Sequence, residues 1–379
     1  MNNIAFVGAG FSCSVLAREL VNSGKYKATI FESRNHVAGN CHTSREDGIM
    51  IHNYGPHIFN TSNIEVWNYV NSFDKFHPFT NRVKAVTNKG VFSLPINLLT
   101  INQFFNKNLS PEDAKEYLKS IGDNTILNPV SFEDQALKML GQDLYENFFY
   151  GYTKKQWGVE PSQLPASILK RLPIRFNYDD NYYQQTFQGI PEQGYTHLVE
   201  KILDHKNIEI LTNKTFSDEF KNDFDFVFYS GPIDRYYNFS EGELSYRTLL
   251  FEKFSYQGDF QGNPVINYCD KSIPYTRITE HKHFAPWENH INSICFKEYS
   301  HKAGKNDDPY YPLRLQEDLD ILKKYVNVAA NDQKITFIGR LGTYRYLDMH
   351  VVIEESLSLS KFCLNNPMDN WPKFSVKPL

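Results

Sequence analysis

The sequence predicts an α/β chain whose nucleotide-binding half is assembled from separated pieces, with a helical insert and an antiparallel sheet insert between them. Three observations carry this. Asn3–Gly8, Ser12–Ser23 and Lys27–Phe31 read as strand, helix and strand, a βαβ opening. Far along the chain, Ile335–Ile338 is a second buried strand, followed by Gly339, Gly342 and a helix from about His350 to Leu364. Between them, residues 102–172 have helical spacing, and Leu249–Tyr256, Pro264–Cys269, Thr276–Glu280 and Ser293–Tyr299 read as strands.

At the first corner, Gly8-Ala9-Gly10-Phe11-Ser12-Cys13 follows the dinucleotide fingerprint. Gly8 permits the tight turn and Gly10 lets the backbone approach a pyrophosphate. The third position, normally glycine for close helix–strand packing, is Cys13. Glu32 closes the second strand, where an acid reaches an adenosine ribose. A purely structural turn is the alternative. At the second corner Arg340, Tyr344, Arg345, Tyr346 and Asp348 precede a helix. Free N–H groups at a helix start face an anionic ligand, and two such corners suit one large dinucleotide. Asp348 is either a plain helix cap or a partner for a sugar-type hydroxyl.

The remaining elements follow in order. Gly48–Pro56 is a hairpin-and-loop region and Thr61–Asn71 a helix. Asn88-Lys89-Gly90 joins Val83–Thr87 to Val91–Leu94 as a hairpin. Ser110-Pro111 and Leu164-Pro165-Ala166-Ser167 start helices. Arg175–Gln188 is strand and loop, Tyr195–His205 a helix, Ile208–Leu211 and Phe224–Tyr229 strands, and Leu315–Val328 a helix. The tail after Asn365, with three prolines, is expected to be loosely attached. The expected division is 1–79, 194–240 and 326–379 for the nucleotide-binding part. Residues 98–170 form the helical part, and 80–97, 171–193 and 241–325 the sheet part.

Composition narrows the function. A formal charge of −4 speaks against a nucleic-acid or anionic-membrane surface. No apolar run is long enough to span a bilayer, and the start of the chain has no secretory leader. Five scattered cysteines form neither a CxxC pair nor a disulfide framework, which fits a reducing cytoplasm. No metal-ligand spacing, GxSxG elbow or P-loop is present.

His57 stands in the rigid loop Tyr54-Gly55-Pro56-His57-Ile58-Phe59, either structural or presented to a cofactor. Tyr152, Thr153, Gln156 and Trp157 follow Phe148 and Phe149 and form either core or a stacking wall. Arg171, Arg247, Arg277 and Arg340 sit among aromatics and prolines rather than in charge runs. They are either surface ion-pair partners or bidentate holders of phosphate oxygens.

Several blocks now combine: GAGFS, YGPHIF, SLPINLLTINQFF, GYTKKQWG, LPASILKRLPIRFNYDDNYY, FYSGP, PYTRITEHKHF and FIGRLGTYRYLDM. Over residues 3–364 they resemble the bacterial UDP-galactopyranose mutases. The resemblance implies a Rossmann-like FAD-binding domain, a helical domain and a six-stranded antiparallel sheet domain. It implies interconversion of UDP-galactopyranose and UDP-galactofuranose for cell-surface polysaccharide synthesis, with FAD in its reduced form attacking the anomeric carbon through N(5). It also implies a reductant or reductase for the flavin, and a homodimer.

Carried onto this chain, Arg171 and Arg277 hold the diphosphate, and Tyr182, Tyr311 and Tyr346 donate hydroxyls to it. Phe148, Phe149, Tyr152, Thr153 and Trp157 make the uridine and sugar wall, with Asn81 and Asn267 nearby. Gly8, Gly10, Phe11, Ser12, Glu32, Gly39, Asn40, His57, Ile58, Phe216, Arg340, Asp348 and Met349 surround the flavin cofactor. Two departures stand out: Cys13, and Asn60 where the family pattern YGPHIFHT has a second histidine. His52-Asn53 also departs in part from what precedes that pattern. The loop changes bear on which sugar is used rather than on the reaction class. Three rivals remain: a redox flavin oxidase, a non-catalytic nucleotide-sugar binder, and a sister mutase for a dTDP- or UDP-linked 6-deoxy or N-acetyl hexose.

Overall fold

The structure is a computed structural model that describes residues 1–171 and 174–379. Leu172, Pro173 and the side chains of Ser167, Lys170, Arg171 and Asp218 lie outside the described residues. Five strands form a parallel sheet in the order Ile208–Leu211, Tyr26–Phe31, Asn2–Val7, Phe226–Tyr229, Ile335–Phe337. Its pieces come from opposite ends and the middle of the chain, as the two separated corners require. Ile4, Ala5 and Phe6 are fully buried, so both faces of the strand are covered and it reads as an unbroken apolar run.

One face carries Phe11–Asn22, Tyr195–Leu203 and Met349–Asn365, which bury Leu16, Leu20, Leu198, Ile202 and Ile353 against it. The other face carries Gln316–Ala330 through Leu322, Tyr325 and Ala329. Strand Asn2–Val7 lies between the strand that follows it and one that comes some two hundred residues later. The turn after Val7 therefore opens at a topological switch point, where ligands bind in open α/β sheets.

A second sheet has seven strands in the order Tyr311–Pro312, Tyr246–Gln257, Asn292–Lys302, Arg277–Glu280, Val265–Tyr268, Val83–Thr87, Gly90–Leu94. It is antiparallel except where Val265–Tyr268 pairs with Val83–Thr87 in parallel. It thus exceeds the expected six strands by one short edge. The helical part comprises Leu98–Phe105, Pro111–Ile121 and Phe132–Leu144, then a π-helical turn Tyr145–Tyr150 leading into Gly151–Trp157. Ser110 and Ser131 each close a capping box with an aspartate three residues on, which fixes two of the helix starts. Leu164–Ser167 starts only a 3-10 turn, Ala166–Arg171.

Three expectations are corrected. Phe187–Pro191 does not join the large sheet. It pairs with Phe59–Thr61 and Phe76–Pro78, held by the Trp67–Phe187 ring stack at 5.3 Å. Helix Gln316–Ala330 runs unbroken across the expected boundary at 325–326, because its apolar face belongs to the parallel sheet. The tail is not loose. Phe337 N–H donates to Lys373 O at 2.8 Å, Phe374 stacks on Phe337 at 5.5 Å, and Trp371 is 3% exposed. It covers the open edge of strand Ile335–Phe337, a place where uncovered backbone invites pairing.

Candidate active site

One cavity of about 1780 Å³ runs from the first corner to the large sheet. A pocket for a single drug-sized ligand is typically about 300–1,000 Å³, so this one has room for two. Gly8, Gly10, Phe11 and Ser12 line it from one corner, and Arg340, Asp348 and Met349 from the other. Helix Phe11–Asn22 begins at Gly10 with no side-chain cap and no acid in its first turn. Helix Met349–Asn365 begins at Asp348, whose carboxylate makes no cap hydrogen bond. Two uncapped helix starts therefore face one space, each with free N–H groups. The cap reading of Asp348 loses its support.

Glycine is required at two points of this floor. Gly8 has φ +102°, and a Cβ there would lie 2.3 Å from Ser230 Oγ. Gly339 has φ +69°, and its Cβ would lie 2.3 Å from Ser12 Oγ. Gly39 backs onto Gly10, and Asn40 lines the wall beside it. Cys13 is fully buried with Sγ 3.5 Å from Val7 O, so a thiol fits where the fingerprint has its third glycine. Glu32 is 6% exposed. Its Oε2 accepts from Ala9 N–H and its Oε1 from Arg34 N–H, each at 2.9 Å, which fixes the carboxylate at the cavity edge. Phe216 lines the same end and packs edge-on against Phe31 at 5.2 Å.

The other end is cationic and phenolic. Arg277 Nη2 donates to Tyr152 Oη at 2.6 Å, and its Nε lies 3.2 Å from Glu298 Oε1. The Glu298 carboxylate, with the surrounding phenols, holds the Arg277 pKa well above its ordinary value despite burial. Tyr182, Tyr311 and Tyr346 line the cavity with it, the last two stacked at 5.6 Å. Burial raises the Tyr182 and Tyr311 phenols, so both are neutral O–H groups at pH 7. Arg340 lies 5.0 Å from the Tyr346 ring and spends its guanidinium on Leu347 O and Tyr310 O. It braces the second corner rather than offering a free fork.

Between the two ends stands His57. Its Nδ1 lies 2.8 Å from Gly55 O, so Nδ1 carries the proton and Nε2 is an acceptor. Burial first, then Arg340 and Arg277, pull its pKa down to about 4. The ring is neutral at pH 7. Ile58 and Asn60 line the same wall, and Asn60 is 7% exposed with Nδ2 donating to Ile58 O at 3.1 Å.

Tyr152 and Trp157 line the cavity, but Phe148, Phe149 and Thr153 do not. Phe148 is core, 5.4 Å from both Phe92 and Phe104, and Phe149 packs toward Phe132. The helix turns that face inward, so the expected wall narrows to Tyr152, Gln156 and Trp157. Asn81 and Asn267 line a side pocket of about 60 Å³ behind Arg277, and each has a buried Oδ1 with no partner. Arg247 is structural: it donates to Gln156 O and Lys155 O at the end of helix Gly151–Trp157. The Arg171 side chain lies outside the described residues.

Sequence reasoning missed Arg34, Tyr183, Ser230 and Arg314, all of which line the cavity. Ser230 stood within FYSGP, and Tyr183 beside Tyr182 in NYY; no pattern marked the two arginines. Asp259, Glu280 and His283 approach one another within 4.8 Å. The Glu280 oxygens, however, already accept from the N–H groups of Phe260, Gln261 and Gly262 and from Ser293.

Fold and cavity together define a nucleotide-binding α/β protein with room for a dinucleotide and a second anionic ligand. A family model described as an NAD(P)-binding Rossmann-like domain matches residues 7–73. The family model for UDP-galactopyranose mutase matches residues 147–346. A probable UDP-galactopyranose mutase of Klebsiella pneumoniae is 54% identical over 99% of this chain and 98% of its own. A dTDP-fucopyranose mutase of Escherichia coli is 49% identical over 97% and 99%. The crystal structure of a reduced UDP-galactopyranose mutase superposes with TM-score 0.74 over 96% of this chain and 94% of its own, at 14% identity, which speaks to fold alone. The chain belongs to the UDP-galactopyranose mutase family. It is an isomerase.

Proposed function

We propose that this enzyme interconverts the pyranose and furanose forms of a nucleotide-linked hexose, with UDP-galactose the first reading, on a bound FAD that works in its reduced form. The observation that carries it is the single cavity joining two uncapped helix starts to the Arg277–tyrosine cluster. The residues present fit a flavin dinucleotide. Gly8, Gly10 and Gly39 leave a cradle that a Cβ would fill, Glu32 and Phe216 mark an adenosine end, and Asp348, Met349, Ile58 and His57 bound the other. Reduced flavin supplies a nucleophilic ring nitrogen toward the anomeric carbon.

The protein does the rest. Arg277, with Arg171 by resemblance, holds the nucleoside diphosphate as it leaves and returns. Tyr182, Tyr311 and Tyr346 give it O–H donors. Neutral His57 offers Nε2 as an acceptor beside the reacting centre. Tyr152 and Trp157 cover the uridine and sugar, and Asn81 and Asn267 present unpaired acceptors to hydroxyls. The role in cell-surface polysaccharide synthesis, the separate reductant, the homodimer and the cytoplasmic setting rest on the resemblance.

A second reading, a sister mutase for a dTDP-linked 6-deoxy or an N-acetyl hexose, is favoured by Asn60 and by the dTDP-fucopyranose mutase at 49% identity. One experiment tests both. The dithionite-reduced protein is incubated with UDP-galactose, UDP-N-acetylgalactosamine and dTDP-fucose, and ring forms are separated by chromatography. Ring exchange with catalytic reductant is expected, and NAD(P)H consumed one-for-one with product would overturn the mutase reading. Asn60→His is expected to raise kcat/KM for UDP-galactose relative to the other two. An unchanged ratio with rates intact means Asn60 does not read the sugar.

A further inference from the structure

Lys154 and Lys155 are neighbours in the sequence, yet the fold separates them. Lys154 faces outward to Glu160 at 2.5 Å. Lys155 turns inward, and four backbone carbonyls share its three N–H groups: Tyr268 O at 2.7 Å, Asp270 O at 2.8 Å, Ile273 O at 2.9 Å and Tyr275 O at 3.0 Å from Nζ. Tyr268 ends strand Val265–Tyr268, and the other three belong to the connection from it to strand Arg277–Glu280. The helix lies directly on this connection because Gly151 has no side chain; a Cβ there would sit 2.3 Å from Cys269 O.

Both ends of this clamp carry residues of the cavity or of its side pocket. On the helix are Tyr152 and Trp157; on the strands are Asn267 and Arg277. The Arg277–Tyr152 contact at 2.6 Å spans the same two elements. We infer that Lys155 is a positioning residue of the nucleotide-sugar site, its ammonium acting as a point cation that sets the distance between the Tyr152–Trp157 wall and the Arg277 clamp. Four carbonyl dipoles converging on one point need a compact charge. An ammonium supplies it, whereas a planar guanidinium fork addresses acceptors lying in a plane. A displacement of about 1 Å in such a clamp is enough for a hundredfold loss.

This rests on the proposed function, and the test separates the two. UDP binding is measured by calorimetry on the flavin-loaded protein, and KM and kcat on the nucleotide sugar that turns over. Lys155→Met is expected to weaken UDP at least tenfold and to raise KM more than it lowers kcat, with flavin content retained. Lys155→Arg is expected to fall between Met and wild type, and ethylammonium to restore UDP binding to Lys155→Ala. A wild-type protein that binds neither UDP nor dTDP removes the function reading itself. Wild-type UDP affinity in Lys155→Met overturns only the role of Lys155. If Lys155→Met does not fold, Lys155→Arg decides, and wild-type UDP affinity there overturns the point-cation geometry.

Discussion

Arg277→Met separates the structural role of this side chain from the diphosphate clamp proposed for it. Glu298 is 1% exposed and has Arg277 Nε at 3.2 Å as its ionic partner, besides a Thr276 hydroxyl at 3.3 Å. Removing the arginine leaves a buried carboxylate without its cation. Breaking such a pair costs about 3–5 kcal/mol, and the partial exposure of Arg277 places this one at about 3 kcal/mol. Losing the diphosphate clamp takes a further ~2–4 kcal/mol from transition-state stabilisation, a hundredfold or more in kcat/KM. The double variant Arg277→Met, Glu298→Gln removes the stranded charge as well. It is expected to regain most of the melting temperature while kcat/KM stays down at least a hundredfold. Thermal denaturation and steady-state kinetics on the same preparations decide it. If the double variant regains both stability and turnover, Arg277 serves the fold alone and the clamp reasoning fails.

Two further outcomes are expected. Gly8→Ala, at φ +102° with its Cβ 2.3 Å from Ser230 Oγ, should lose about 1–3 kcal/mol and most of its bound flavin; wild-type flavin content and melting temperature would contradict the cradle. His57, with a folded pKa of about 4 against an ordinary 6.5, binds fewer protons folded than unfolded between those values, so stability should fall as pH drops from 6.5 toward 4. The loss is on the order of 2 kcal/mol for this half-buried ring, and His57→Gln should flatten the slope in urea titrations across that window.

Much of the fold was legible because its signals are local. Gly8 and Gly10 between two apolar runs marked the first corner, and Ser110 before Pro111 marked a helix start that its capping box with Asp113 fixes. What failed depended on distant partners. Nothing local in Phe187–Pro191 tells that it pairs with Phe59–Thr61, and three prolines in the tail hid that Trp371 and Phe374 seal an edge strand. The site divided the same way. Gly8, Gly10, Arg340 and Asp348 line the cavity, whereas Tyr344 and Arg345 turn away to Ser245 O and Glu355, and Phe148, Phe149 and Thr153 pack away from it along the π-turn Tyr145–Tyr150 and the helix after it. Arg34 and Arg314 carry no pattern at all; only the folded chain brings them to one wall.

Similarity along the whole chain ranks two kinds of relative almost equally, at 54% and 49% identity, so the sugar must be read from the wall and not from the fold. The parts that serve any nucleotide sugar under the proposed function are held firmly: Arg277 by Glu298 and Tyr152, and His57 by Gly55. Asn60 is different. It sits in a three-residue strand beside that histidine and turns one amide hydrogen back onto its own backbone at Ile58 O. An imidazole in its place would be larger and would offer a different donor and acceptor. Under the proposed function the reaction belongs to the clamp and the two corners, and Asn60 is the position at which the choice of sugar is put to the test.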